Sequence, residues 1–146
     1  MKSTFSIPVL FTVRTVFIAI FVNTIVCSSH ILTDTDYTFT SILQTLGFAS
    51  SVSALLFVPV AVIVFLLAQL RKKVKPDTLF WVITIIAIAA TFVACDVFSD
   101  VFADYASKGS ATGVFAGIAT FSILVSLSAQ YPLFIGEKEE TVTAHA

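Results

Sequence analysis

Four long apolar runs divide the chain, separated by short stretches of mixed polarity. The first is Ile7 to Cys27, the second Leu46 to Leu70, the third Thr78 to Phe98 and the fourth Thr112 to Ile135. Each is long enough to cross roughly 30 Å of hydrocarbon as a helix, which takes about 20 residues. A helix satisfies its own backbone in lipid, so the pattern predicts an all-α, transmembrane four-helix bundle over residues 1–136 and a polar tail over 137–146. A secretory signal competes for the first run, with Lys2 as its charged leader and a cut near Ser28. Signal cores span roughly 7–15 residues and lack charge. This run is longer and contains Arg14, which favours a retained span.

The segments between the runs add detail. Cys27 to Thr45 reads as a polar loop with His30, Asp34, Asp36 and Tyr37 and no Lys or Arg. Pro59, in the middle of the second run, predicts a kink, because the carbonyl of Leu55 loses its helical donor. A neighbouring helix or a serine is expected to answer that carbonyl. Phe80 and Trp81 fall at belt depth at the start of the third run. That run continues into residues 99–107 with apolar and acidic residues interleaved, as for a helix emerging with one wet face. Pro132 is expected to help end the fourth.

Composition identifies the solvent. The 146 residues are 58% hydrophobic and 12% charged, half the roughly 25% charge of soluble domains. One compact bundle fits this length, with no separate soluble domain. A net charge of −1 suggests no nucleic-acid partner. Two cysteines are too few for a disulfide framework.

Charge sets the expected orientation. The stretch Arg71-Lys72-Lys73-Val74-Lys75-Pro76-Asp77 holds half of the eight Lys and Arg residues. Four spans put both termini on one side, together with Lys2, Arg14, the basic loop and Lys138; only Lys108 falls opposite. Basic residues beside spans stay cytoplasmic, so both termini are expected there. Arg71, Lys72, Lys73 and Lys75 are then headgroup contacts, each worth ~1 kcal/mol near an anionic surface.

Several polar residues are candidate sites. Arg14 lies about two turns inside the first span. It either snorkels to the headgroups or pairs with Asp77, whose carboxylate suits the start of the third helix. The helical wheel counts against the pair, since Thr12, Thr15, Ala19 and Asn23 share the bundle-facing side and Arg14 points nearly opposite. Asn23 is expected to hydrogen-bond across to another helix. Asp96, Asp100 and Asp104 recur every fourth residue along one helix face. Asp96, just inside the membrane, is a candidate ion or proton site, with a structural role the favoured reading. Gly109, Gly113 and Gly117 form a close-packing face, within the bundle or against another protein. Cys27 and Cys95 lie near the outer ends of parallel helices, where a disulfide competes with the commoner case of two apolar thiols. His30 and His145 fall on opposite sides of the membrane, and no metal, phosphate-loop or haem motif is present. No catalytic residue, cofactor or metal is expected.

The order of these features resembles the MARVEL-domain superfamily and its plant relatives, the Casparian-strip membrane-domain-like proteins. The likeness rests on Leu10-Phe11-Thr12-Val13-Arg14 in the first span, the basic loop, and Asp77-Thr78-Leu79-Phe80-Trp81 opening the third. It extends to the later alanines Ala87, Ala89, Ala90 and Ala94 and to a fourth span of small residues and Phe. The resemblance implies a basic residue in span one, matched by Arg14, and an acidic one in span three, matched by Asp77 or Asp96. It also implies membrane-domain organisation, vesicle and junction traffic or scaffolding, without enzymatic activity. The expectation is a non-enzymatic organiser or accessory subunit, acting through lateral packing on itself, on a larger membrane protein complex or on membrane lipids. A small transporter using Asp96 and a structural subunit of an organellar complex are the alternatives. The plasma membrane or secretory pathway is the expected location.

Overall fold

Every described segment is dominated by helix, as the hydropathy pattern requires. The computed structural model describes residues 7–29, 38–102 and 110–135. The helices are α1 (Ile7–Ser28), α2 (Phe39–Ala68), α3 (Pro76–Phe102) and α4 (Ser110–Ile135), with a 3₁₀ turn over Gln69–Lys72 after α2. All four are long and apolar enough to cross a membrane, so the protein is an all-α, multi-pass membrane bundle. Each helix packs chiefly on its two ring neighbours: α1 on α2 and α4, and α3 on α2 and α4. The start of α1, the turn after α2, the start of α3 and the end of α4 meet at one end of the ring, the basic end.

Local chemistry explains where the helices begin and end. Thr38 is extended (φ −77°, ψ 156°), and its hydroxyl accepts from the Ser41 backbone N–H at 3.3 Å, an N-cap that satisfies one free donor of the first turn. This cap starts α2 at Phe39, so residues 39–45 are helical and not the loop expected from their polarity. The second apolar segment, Phe39–Lys72, is 34 residues long, about 51 Å at 1.5 Å per residue. α2 passes through Pro59 as one helix, with the ring on its exposed side. The 3₁₀ turn that follows it carries Arg71 and Lys72, which complement the negative end of the helix dipole. Pro76 takes the first position of α3, where its missing N–H costs nothing, and Asp77 follows in the positive first turn. α3 runs on past Phe98 to Phe102. Pro132 does not stop α4, which continues to Ile135.

The interior combines small residues and aromatics with branched aliphatics such as Leu56, Val60, Ile83 and Ile123. Ala19, Ala68, Ala87 and Ala119 are fully buried alongside Phe11, Phe57 and Phe134. Alanine lets backbones approach closely where lipid supplies no hydrophobic drive between helices. The lipid-facing side is apolar too, with Val13, Phe17, Phe21, Phe48, Leu66, Ile85 and Val97 all exposed. Phe80 and Trp81, expected at the same depth, face different ways: Phe80 is buried in the bundle, and Trp81 is 61% exposed.

Candidate functional site

Two clusters organise the interior. The first is a set of hydroxyl and amide groups on α1 and its neighbours. Thr12, Thr15, Ala19 and Asn23 are all buried, as the wheel predicts. The Asn23 amide Nδ2 donates to Ser53 Oγ of α2 at 2.7 Å, and Ser53 Oγ donates to the Ala49 carbonyl at 2.7 Å. With its one proton committed to Ala49, the Ser53 hydroxyl can only accept from Asn23. This fixes which end of the amide faces it. On the other flank of α1, Ser126 Oγ of α4 donates to the Thr15 carbonyl. The two buried threonines of α3 bond within their own helix: Thr84 donates to the Phe80 carbonyl at 2.9 Å and Thr91 to the Ala87 carbonyl at 2.7 Å. Those of α1 do not. Thr12, Thr15, Thr24 and Ser28 hydroxyls and Asn23 Oδ1 are buried with no protein partner, as is Thr120 on α4.

This asymmetry predicts unequal effects at the two ends of one hydrogen bond. Asn23→Leu removes the stranded Oδ1 together with the bond and will cost about 0.6 kcal/mol or less. Ser53→Ala leaves the buried amide with neither group satisfied and will cost more, about 1–3 kcal/mol. Unfolding of both variants in mixed detergent micelles measures the order, and the reverse ranking would refute the stranded amide atom as the source of the difference.

The second cluster closes the basic end. The Phe134 ring lies 4.6 Å from Phe11 and 6.0 Å from Phe80, centroid to centroid. Phe80 also meets Tyr131 edge-on at 4.8 Å. Arg71 places its guanidinium carbon 5.5 Å from the Phe134 centroid, within range of a cation–π attraction. Beside it the Tyr131 hydroxyl donates to Asp77 Oδ1 at 3.3 Å. One aromatic knot thus draws together α1, the turn after α2, α3 and α4.

Of the two readings of Arg14, the pair with Asp77 is not formed. Arg14 is exposed, and the partner of Asp77 is Tyr131. The ring order is the reason: α3 lies diagonally across from α1, and the buried stripe of α1 turns Arg14 outward. Asp96 is exposed, on the α3 side that also carries Val93 and Val97, so it does not line the interior. Gly113 and Gly117 are exposed as well, and a Cβ built on either meets nothing within 4 Å. They take no part in packing within the bundle. Gly109, Asp104, His30 and His145 lie outside the described residues. Cys27 and Cys95 are not joined by a disulfide and sit on diagonal helices. Lys72, Lys73 and Lys75 are exposed, and Arg71 is half-buried. Among the described residues no three His, Cys, Asp or Glu side chains gather as a metal site. Comparison with protein-family models, curated proteins and solved structures gave no match.

The residues of these clusters were unequally visible in the sequence. Ser53 belongs to the small-sided stretch Ser50–Ala54, and Asn23 calls for a partner at its own depth. Nothing in the spacing of Arg71, Tyr131 and Phe134 signals the aromatic knot.

Proposed function

We propose that this protein is a non-enzymatic organiser or accessory subunit of a membrane, acting by lateral helix packing and lipid contact. The observation that carries the reading is the outward placement of Gly113 and Gly117 on α4 with open space above both. Glycines spaced by four let a second helix approach closely. The polar residues of the bundle that bond do so between and along helices, as packing groups do. In this reading both termini and the basic loop are cytoplasmic, following the seven-to-one distribution of basic residues, and Lys72, Lys73 and Lys75 contact headgroups. The MARVEL-like order of sequence features agrees with this role. The occupant of the α4 face is a second copy or a larger membrane protein. Transport through Asp96 draws no support from its outward position.

The test is a pair of substitutions that the bundle itself tolerates. Gly113→Leu and Gly117→Leu fill the open face without entering the interior. The double variant is expected to lose self-association or partner capture by about tenfold, with helicity and monomer stability unchanged, as read by cross-linking and native mass in lipid nanodiscs. A wild-type protein that stays monomeric and partner-free in native membranes would sink the reading.

A further inference from the structure

Arg14 is a cation placed where hydrocarbon should surround it. It follows Ile7 by seven residues, about 10 Å along α1. Its neighbours on the outward stripe are Phe17, 71% exposed, and Phe21, 60% exposed, with Ile25 beyond. An uncompensated arginine is costly at this kind of position. Among the described residues the one carboxylate at the basic end is Asp77. It belongs to the diagonal helix and already accepts from Tyr131. Among the described residues, then, no carboxylate of the bundle is left to compensate Arg14.

We propose that Arg14, with Phe17 and Phe21, forms a binding site for one anionic glycerophospholipid in the leaflet at the basic end. The guanidinium binds the lipid phosphate, and the acyl chains run along the two phenylalanines deeper in the membrane. Arginine suits this task because its planar fork offers paired N–H donors to phosphate oxygens. The side chain extends toward the surface and draws the phosphate down to meet it. An anionic headgroup is favoured over a zwitterionic one because its net charge is not cancelled beside the cation. The exposed Lys72, Lys73 and Lys75 at the same end add a diffuse attraction of the same sign. This inference deepens the lipid-contact part of the function proposed above and rests on it.

The experiment is native mass spectrometry of the full chain released from nanodiscs of phosphatidylserine and phosphatidylcholine in equal amounts. The wild type is expected to retain one phosphatidylserine about five-fold more often than phosphatidylcholine. Arg14→Gln is expected to abolish that preference, and Arg14→Lys to keep only part of it, because an ammonium cannot bind in the forked geometry. The triple variant Lys72→Gln, Lys73→Gln, Lys75→Gln should keep the single retained lipid. Removing a charge from a span favours insertion, so Arg14→Gln remains a folded reporter, checked by helical circular dichroism. Equal retention by wild type and Arg14→Gln overturns the proposal, as does loss of the lipid in the triple variant alone. The same spectra report monomer and oligomer masses. Failure of the lipid site with association intact is therefore distinct from failure of the packing reading.

Discussion

Replacing Phe134 with alanine will destabilise the bundle by about 2–4 kcal/mol, the largest effect expected of any single core substitution here. Lipid tails are as apolar as the core, so little of this loss is transfer free energy. It comes from contacts. Phe134 is fully buried and touches Phe11 of α1, Phe80 of α3 and the Arg71 guanidinium. Each aromatic pair is worth about 0.5–1.5 kcal/mol and a partly desolvated cation–π contact about 1–2 kcal/mol. Truncation removes all three and leaves a cavity shared by three helices. Phe134→Leu keeps most of the volume without the ring face, so it should recover about half the loss. Trp81→Ala is the control: this large aromatic neighbour faces outward, keeps only an edge-on contact with Phe80 at 6.1 Å, and should cost about 0.5–1 kcal/mol. Reversible unfolding by denaturing detergent measures all three. Equal losses for Phe134→Ala and Trp81→Ala would show that the knot contributes nothing specific.

Replacing Arg71, Lys72, Lys73 and Lys75 with Gln will give a population of mixed orientation. By chain order over four spans, seven basic residues are assigned to the side of the loop and one, Lys108, to the other; the substitutions leave Lys2, Arg14 and Lys138 against Lys108. Orientation follows the Lys and Arg bias near span ends, so reducing it from seven-to-one to three-to-one weakens the only strong signal in the chain. The same change removes the Arg71 contact with Phe134, so molecules that insert correctly should also be less stable. Arg71→Gln alone separates the two effects, because it loosens the knot and leaves most of the charge bias in place. Protease and thiol-labelling maps of tagged termini read the orientation. An unchanged map for the fourfold variant would refute the charge argument.

The four spans were legible because hydropathy over twenty residues is a strong signal that needs no partner. The inward face of α1 was legible too, since its polar residues Thr12, Thr15 and Asn23 mark a stripe on an otherwise apolar helix. Boundaries were less so. Phe39–Thr45 mixes polar and apolar residues and resembles a loop until Thr38 is recognised as a cap. The rotation of α3 and α4 left little trace, because both of their faces are apolar when one meets lipid and the other meets helices. For that reason Phe80 and Trp81 looked equivalent. For the same reason Asp77 looked available to Arg14, when ring order gives it to Tyr131. The glycine spacing could be read, but not the direction in which Gly113 and Gly117 face.

The ring order also dictates a sequence of assembly. Asn23 and Ser53 are thirty residues apart, so the first two spans can engage as soon as both have left the synthesis machinery. Closure is different in kind. Ser126 and Thr15 are separated by 111 residues, and Phe134 reaches Phe11 across a still longer stretch of chain. Until the last span arrives, one flank of α1 remains open, with the Thr15 carbonyl lacking its bond from Ser126. The nascent protein therefore passes through a three-span stage that displays an unfinished seam. A chaperone or an insertase would have the most to recognise at that stage.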